Sequence, residues 1–329
     1  MAGNDKSRQW QAAFGMLRRP SKLHCVSREP MHIFVFSFNR GPFLENCVRS
    51  IEACAPQCRL TVIDDGSNDP ETRRILVDIA RRHEVIDKTA DSGHKLGGLY
   101  ANMQAAFEMA ADDQLMCFLQ DDTQMVRALS DEDVQDLRRS FEQQPDLGFV
   151  SPAFVRGFSL RKKADRDFRF DRERGYWFWY PQKRSTGTWF SALLIADPKR
   201  LRQVEWRFEV GESVNNRKAA QLFCRMARMR APFSMWLPNG RAYRGKQKSL
   251  ALRFGEWSRR CGLYPLQIMP DSEVQALKQA EPARLPVAED WLKTTRGELK
   301  TPWAYDPMQG AGWLKLLDRL ERKLRGLFG

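Results

Sequence analysis

The sequence predicts an α/β fold with a mixed, mostly parallel sheet flanked by helices, followed by a helical and irregular C-terminal part. Short apolar runs typical of buried strands alternate with segments whose apolar residues recur every three to four positions. This alternation builds right-handed βαβ units and parallel strands. Of the 329 residues, 42% are hydrophobic and 29% are charged, which excludes a chain that is disordered throughout.

The N-terminal half contains the more regular elements. Strands are predicted at 32–38, 59–63, 84–88 and 115–119, and helices begin at Gly41, after Asp69, over 97–110 and after Ser130. Proline suits the first helical turn, Asp69 is a typical N-cap, and Ser130 with Asp133 forms a capping box. Farther along, strands are predicted at 148–155, 190–196 and 233–237, and helices at 198–204 and 214–230.

Two predicted strands end in paired acids, Asp64-Asp65 and Asp121-Asp122. Either pair alone suits an ordinary turn or helix cap. In an open parallel sheet, however, ligands bind beyond the carboxyl ends of the strands, and clustered carboxylates repel one another without a cation or a hydrogen-bonding ligand. Mg²⁺ or Mn²⁺ takes one or two carboxylate oxygens and leaves positions for phosphate. The pairs therefore predict a site for a nucleoside diphosphate with a divalent metal.

Three segments resemble the family two glycosyltransferases with the GT-A fold. These are Ser37-Phe38-Asn39-Arg40, Val62-Ile63-Asp64-Asp65-Gly66-Ser67 and Phe118-Leu119-Gln120-Asp121-Asp122. Their order, spacing and strand context agree over roughly residues 32–240. The resemblance implies inverting transfer of a sugar from a nucleoside-diphosphate sugar, by analogy a UDP-sugar, to a hydroxyl of a glycan or lipid-linked glycan, assisted by Mg²⁺ or Mn²⁺.

The resemblance also assigns site residues one by one. Ser37 and Asn39 would line the nucleotide pocket, Asp64 and Asp65 would contact base and ribose, Asp121 would contact the sugar or ribose, and Asp122 would bind the metal. The segment from Gly98 to Asn102 resembles the one that approaches the nucleotide sugar, but Ala101 stands where the family often has arginine. Lys95 is the candidate to replace that charge at the diphosphate; the alternative is a solvated loop lysine.

Glu212 is the candidate general base, because it precedes the predicted helix 214–230 where the family usually has an acid pair. Ser213 replaces the second acid, Glu209 is the nearest rival, and a glutamate at a helix start also suits the helix dipole. The family often completes its metal site with a late histidine, and this chain has none after residue 94. The cations of 241–249 either bind the diphosphate in its place or form a solvated loop.

Three parts are expected. They are a basic N-terminal extension (1–30), a GT-A domain (31–262) with a nucleotide-binding half (31–150) and an acceptor half (151–262), and a C-terminal extension (263–329). The aromatic run 176–180 either stacks on acceptor sugars or forms a buried strand. The extension ends in a basic amphipathic helix, 313–328, typical of an anionic membrane surface; docking on the protein's own core or in a dimer is the alternative.

The start of the chain lacks the apolar segment of a secretory signal, so a cytoplasmic location is expected, with the inner face of the cell membrane for a peripheral protein. The net charge of +13 permits nucleic-acid binding. No nucleic-acid partner is expected, because no such motif is present and the acid pairs would repel phosphate. A sugar nucleotidyltransferase would carry a glycine-rich basic loop where this chain has Phe38-Asn39-Arg40-Gly41-Pro42-Phe43. The remaining alternative is a degenerate GT-A domain or basic protein that binds nucleotide, nucleic acid or a scaffold partner without transfer.

Overall fold

The computed structural model describes residues 15–16, 30–87, 98–157, 167–180, 187–242 and 248–327. The strands are β1 (Gly15–Met16), β2 (Met31–Ser37), β3 (Arg59–Asp64), β4 (Glu84–Asp87), β5 (Leu115–Gln120), β6 (Thr123–Met125), β7 (Val150–Ser151), β8 (Phe168–Asp171), β9 (Tyr176–Trp179), β10 (Leu194–Ala196), β11 (Ala227–Arg228) and β12 (Ser234–Trp236). The helices are α1 (Gly41–Cys54), α2 (Pro70–Ala80), α3 (Gly98–Met109), α4 (Asp131–Gln143), α5 (Pro198–Gln203), α6 (Glu212–Leu222), α7 (Leu250–Ser258), α8 (Asp271–Gln279), α9 (Ala288–Trp291) and α10 (Gly312–Leu327).

Among the residues that the structure describes, ten strands form one mixed sheet in the order β1-β4-β3-β2-β5-β10-β7-β11-β9-β8. Strands β4, β3, β2 and β5 run parallel, whereas β10 runs antiparallel to both of its neighbours. The register places Ser37 opposite Asp64 and Phe36 opposite Gln120, so the carboxyl ends of three strands meet at one edge. The predicted fold class, a mostly parallel sheet flanked by helices, is confirmed.

The parallel strands are buried on both faces. Every residue of β2 is buried. On one face Val35 packs with Val48 of α1 and Leu76 of α2, and on the other Phe34 and Phe118 pack in a T-shaped pair, 5.8 Å between centroids. A strand covered by helices on both sides has a continuous apolar sequence, which is why β2 could be predicted.

The predicted helix starts are confirmed. Pro42 lies in the first turn of α1, and the Asp69 side chain accepts a hydrogen bond from the backbone N–H of Thr72 at 2.8 Å at the start of α2. Ser130 and Asp133 form the reciprocal capping box of α4. These caps satisfy N–H groups that have no partner within the helix.

Three elements of the second half are clearly shorter than predicted, and one of them, the strand predicted at 190–196, is reduced to β10. Helix α6 ends at Leu222 and not at 230, because Phe223 adopts an extended conformation and packs its ring 5.6 Å from that of Phe149. The chain then pairs Ala227 with Val150. The predicted strand 148–155 is reduced to β7, because Pro152 has no N–H to donate to a ladder.

The predicted strand 233–237 is β12, which joins β6 in a separate two-stranded sheet. Trp236 lies opposite Thr123, and the N–H of Leu237 donates to the carbonyl of Asp122 at 2.8 Å. This small sheet therefore fixes the second half of the chain directly beside one of the two acid pairs.

The division into domains stays a prediction. The N-terminal extension, 1–30, lies almost entirely outside the described residues. Lys95, the predicted diphosphate contact, also lies outside them. In the C-terminal part, Trp303 and Leu266 share a core with Phe154, and the Gln124 side chain exchanges two hydrogen bonds with the backbone of Leu266, at 2.6 and 2.9 Å. Within the described ranges, no helix is long and apolar enough to cross a membrane.

A fully buried arginine connects the segment after β6 to the segment between β11 and β12. All five donors of Arg127 are used. They reach the carbonyls of Ala128, Ala231 and Pro232 and both carboxylate oxygens of Asp133. Although burial acts in the opposite direction, the Arg127 guanidinium lowers the pKa of Asp133 to about 2.

We expect the Arg127→Met substitution to lower the free energy of unfolding by about 3–5 kcal/mol, because it leaves three carbonyl groups without their donor and removes the buried cation that pairs with the Asp133 carboxylate. Urea denaturation measures this change. The matched control is Arg139→Met on the exposed face of α4, where the side chain is 63% exposed and we expect less than about 0.5 kcal/mol. Equal effects of the two substitutions would contradict this role of Arg127.

Candidate active site

The carboxyl ends of β2, β3 and β5 form the floor of the candidate site. Hydrogen bonding continues one residue beyond each strand: the N–H of Asp65 donates to Ser37 O at 2.9 Å and the N–H of Asp121 to Phe36 O at 3.0 Å. Ser37 is buried between the two loops. The two acid pairs predicted from the sequence therefore lie on neighbouring loops at one sheet edge.

Asp64 organises the loop after β3. Its buried carboxylate accepts hydrogen bonds from the N–H and the hydroxyl of Ser67, both at 2.6 Å. Burial raises the pKa of Asp64, and the hydrogen bonds from Ser67 oppose that shift. Gly66 has a φ of +76°, which glycine adopts without steric cost. Both oxygens of Asp64 are thus engaged within the turn, while Asp65 points outward and is half-buried.

Asn39 ties the first loop to the second. Its Oδ1 accepts from the N–H groups of Asn68 and Asp69 at 2.8 and 2.9 Å, and its own N–H donates to the Ser67 hydroxyl at 2.7 Å. Its φ of +52° is one that asparagine tolerates better than most residues. The nucleotide contact predicted for Asn39 stays a prediction, and the structure adds that its side chain holds the loop in shape.

Asp65 faces the beginning of α3. Asn102 Nδ2 lies 3.4 Å from Asp65 Oδ1, and a Cβ atom at Gly98 would lie only 2.0 Å from Asp65 Oδ2. A larger residue at position 98 would displace the carboxylate from this helix N-terminus, where the helix dipole favours negative charge. The glycine at position 98 thus sets the orientation of Asp65.

Arg40 joins the second acid pair. Its Nη1 donates to Asp122 Oδ2 at 2.7 Å and reaches Asp121 Oδ1 at 3.4 Å, while its Nη2 donates to the carbonyl of Arg241 at 2.9 Å. The N–H of Phe38 donates to Asp121 Oδ2 at 3.2 Å. Burial, with the like charge of Asp122, raises the pKa of Asp121 to about 7, although Arg40 opposes the shift.

The second pair fits a divalent cation through Asp122. Its Oδ1 is buried and has no hydrogen-bond partner in the part of the chain that the structure describes. Over the same residues, no group of three or more His, Cys, Asp or Glu side chains gathers to hold a metal ion. Mg²⁺ is nevertheless often held by one or two carboxylates, with the substrate's phosphates as further ligands, so the donor set suits an ion that arrives with its nucleotide.

Arg156 lies within electrostatic range of both Asp122 and the predicted base. Its guanidinium stacks on Trp236, 4.1 Å from the ring centroid, and on Tyr305, at 4.8 Å. Burial lowers its pKa, and the charges of Tyr305, Asp122 and Glu212 oppose that shift. The buried Nε of Arg156 has no hydrogen-bond partner among the described residues, so this arginine can bind an oxygen ligand.

Glu212 is the first residue of α6 and follows Gly211, whose φ is +105°. Glu212 is exposed, yet partial desolvation raises its pKa, opposed by the charge of Arg156. Burial and the nearby Glu212 charge raise the pKa of Tyr100 to about 12. The rival, Glu209, instead has its carboxylate 3.9 Å from the Lys218 ammonium group. Of the two glutamates, Glu212 thus lies in the electrostatic field of the site.

The sequence interpretation did not assign a role to Arg40 or Arg156. Arg40 follows β2 in the segment Ser37-Phe38-Asn39-Arg40. Because β2 and β5 are neighbours in the sheet, this position could have indicated a contact with Asp121 and Asp122. Arg156 follows a broken strand, and nothing local indicates what it contacts. In the basic stretch 241–249, residues 243–247 lie outside the described ranges, and Lys248 is engaged with Glu256 at 2.7 Å.

The aromatic run is a buried strand. Tyr176, Trp177, Phe178 and Trp179 are all buried, whereas Tyr180 is 40% exposed and lies 5.2 Å from the Arg225 guanidinium. Stacking of acceptor sugars on Tyr176–Trp179 is therefore excluded, and the buried-strand interpretation is confirmed.

The model of glycosyl transferase family 2 matches residues 32–198. Similar solved structures include S. aureus TarS (11% identity, TM-score 0.43), the galactosyltransferase LgtC in complex with donor and acceptor sugar analogs (15%, 0.34), and the mannosyltransferase PcManGT from Pyrobaculum calidifontis in complex with GDP-Man and Mn²⁺ (12%, 0.39). These similarities cover 63%, 59% and 98% of this chain and 36%, 66% and 81% of the respective structures. The chain thus spans about a third of TarS. A search of the curated proteins found no match.

The raised pKa of Asp121 makes stability depend on pH. Between about pH 4, where an unfolded aspartate loses its proton, and about pH 7, where Asp121 does so in the folded chain, the folded state holds the extra proton. The free energy of unfolding therefore falls as the pH rises through this window. Asp121→Asn should remove this dependence on pH. Without nucleotide, the free energy of unfolding of the wild type should therefore fall by about 2 kcal/mol more than that of the variant between pH 5 and pH 7.5.

Urea denaturation at the two pH values measures the difference. The control is Asp131→Asn on the exposed start of α4, which should follow the wild type. Parallel pH dependence of Asp121→Asn and the wild type would contradict the raised pKa.

Proposed function

The chain belongs to glycosyl transferase family 2, and from this premise we propose that it is an inverting glycosyltransferase. Its donor would be a nucleoside-diphosphate sugar, with UDP as the default nucleotide by analogy with the family, and its acceptor a hydroxyl of a glycan or lipid-linked glycan. The observation that carries the proposal is that Asp65 and the Asp121–Asp122 pair lie together at the carboxyl edge of the parallel strands, with Arg156 within electrostatic range of both Asp122 and Glu212.

In this proposal the first loop pair holds the nucleoside. Asp65 accepts hydrogen bonds from base or ribose, as acids at this position do in dinucleotide folds. Ser37 and Asn39 line the pocket, and Asp64 acts through the Ser67 turn that it shapes. Asp121, next to the metal-binding acid, faces the sugar or ribose.

Asp122 would hold Mg²⁺ or Mn²⁺ through its unpartnered oxygen, and the ion would neutralise charge on the departing nucleoside diphosphate. Arg156 is placed to bind an oxygen of the same leaving group, because its guanidinium is fixed between two aromatic rings beside Asp122. A cation held rigidly in a partly desolvated cleft stabilises developing charge without having to reorganise.

Glu212 would accept the proton of the acceptor hydroxyl as general base. The acceptor oxygen then forms its bond to the anomeric carbon while the bond from that carbon to the diphosphate oxygen breaks. The electron pair leaves with the nucleoside diphosphate. A raised pKa of Glu212 suits this role, because a stronger base takes the proton more readily.

We place the protein in the cytoplasm and, for a lipid-linked acceptor, at the inner face of the cell membrane.

The proposal is tested by measuring nucleoside diphosphate release from UDP-, GDP-, dTDP- and CDP-sugars with a panel of glycan and glycolipid acceptors. We expect turnover with one nucleotide class. In that reaction Glu212→Gln should lower kcat by roughly 10²–10⁴-fold with little change in KM, as loss of a general base does. Glu209→Gln is the matched control and should retain wild-type kcat. The reverse pattern would make Glu209 the base, and no turnover with any donor would contradict transfer itself.

A second expectation concerns donor binding. In Gly98→Ala the new methyl group would collide with the Asp65 carboxylate, so Asp65 must move and its contacts to the nucleoside weaken. We expect the Kd of the nucleoside diphosphate to rise about tenfold or more, because one charge-assisted hydrogen bond is lost. Isothermal titration calorimetry measures it.

Gly312→Ala is the matched control, because Gly312 is also the first residue of a helix and a Cβ there would meet nothing within 4 Å. It should bind like the wild type. Unchanged affinity in Gly98→Ala would mean that Asp65 does not contact the nucleotide.

A further inference from the structure

Exposed apolar side chains gather on two helices of the C-terminal part. Of the thirteen large hydrophobic residues that are exposed in the described ranges, eight lie on α7 and α10. They are Leu250, Phe254, Trp257, Trp313, Leu316, Leu317, Leu320 and Leu324. Scattered single residues of this kind are ordinary, but a contiguous patch marks an interaction surface.

The eight residues form one surface, called here the α7–α10 surface. The three on α7 recur at intervals of four and three positions, so they lie on one face of that helix. The five on α10 form a second stripe. The two stripes meet where the ring of Phe254 lies 5.7 Å from that of Trp257 and 6.0 Å from that of Trp313.

This surface stays exposed after α10 has docked on the protein. The helix is held by its other side: Leu314 packs on Leu252, and Asp318 is buried and accepts a hydrogen bond from the Ser249 hydroxyl at 2.6 Å. The N–H of Leu250 donates to the Glu321 carboxylate. The alternatives predicted for this helix are an anionic membrane surface, the protein's own core and a dimer interface. The structure docks one side of the helix on the protein, and that side is separate from the apolar stripe.

The charge that borders the stripe is positive. Lys315, Arg319 and Lys323 recur at intervals of four along one edge of α10 and are exposed. The acids of the two helices are all engaged by nearby partners. Asp318 binds Ser249 and Arg322, Glu321 binds the N–H of Leu250 and Arg325, and Glu256 binds Lys248.

A basic cavity opens beside Trp257. It measures about 720 Å³, and its lining includes Arg241, Arg253 and Arg260, with Glu256 as its acid. Glu256 is already paired with Lys248 at 2.7 Å, so the cavity suits an anion. It extends to Arg241, whose carbonyl accepts a hydrogen bond from Arg40, and therefore lies between the α7–α10 surface and the acid pair.

We propose that the α7–α10 surface binds the anionic face of a lipid bilayer. Helices with an apolar face and a cationic border lie in the plane of the membrane interface, tryptophan favours that depth, and cations beside it are attracted to anionic headgroups. A second copy of the chain would cover the same apolar residues but would leave the row of cations without a partner. The binding concerns where the protein acts and does not depend on the proposed transfer reaction.

The test is flotation of the full chain with vesicles of phosphatidylglycerol and phosphatidylethanolamine, compared with vesicles of phosphatidylcholine. We expect the wild type to float with the anionic vesicles, less with the neutral ones, and less at high salt. Substituting Leu317, Leu320 and Leu324 by glutamine, or Lys315, Arg319 and Lys323 by glutamine, should lower the partition coefficient at least about tenfold.

The control variant replaces Val77, Val210 and Leu222 by glutamine, since these apolar residues are also exposed but lie elsewhere; it should bind like the wild type. Thermal unfolding of every variant, followed by circular dichroism, shows whether the fold is retained, and this measurement does not depend on the proposed function. Failure of the wild type to float, or equal flotation of the leucine variant, would overturn the proposal. So would a wild-type dimer in solution that the leucine substitutions dissociate, because the surface would then join two copies.

Discussion

The contact between Arg40 and the Asp121–Asp122 pair is the interaction on which the candidate site depends. Two adjacent carboxylates at the end of a buried strand repel each other, and removing them from water adds to that cost. The positive charge of the Arg40 guanidinium offsets both the repulsion between the carboxylates and the cost of removing them from water. The same guanidinium donates a hydrogen bond to the carbonyl of Arg241. It thereby holds together the loop after β2, the turn after β5 and a segment of the second half. A donor that arrives with its cation must share or replace this guanidinium, which couples donor binding to the position of Arg40.

The N-terminal half could be predicted from the sequence because its signals are local. Strands buried on both faces read as apolar runs, and Asp69, Ser130 and Pro42 mark helix starts through short-range hydrogen bonds and geometry. The second half follows tertiary constraints. Phe223 leaves the helical conformation to join an aromatic core, and the two residues of β11 carry too short a pattern to be recognised as a strand.

The same distinction applies to the site. The acids could be found because they follow strands whose ends must meet at one edge. Arg156 could not, because its position is fixed by rings eighty and one hundred and forty-nine residues away in the chain, Trp236 and Tyr305. The amphipathic pattern of α10 was visible in the sequence. The part of the apolar surface on α7 was not visible, because Leu250, Phe254 and Trp257 cover only two helical turns. They join the stripe on α10 through the contact of Phe254 with Trp313, which the sequence does not indicate.

We propose that the acids at this sheet edge form the donor site. Calorimetric titration of UDP, GDP, dTDP and CDP into the wild type and Asp122→Asn, each with and without Mn²⁺, tests this assignment. We expect that one nucleotide binds the wild type more tightly with Mn²⁺, and that Asp122→Asn loses this gain but keeps the metal-independent affinity that Asp65 supplies. Equal affinity and equal response to Mn²⁺ in the two proteins, or no binding of any nucleotide, would contradict it.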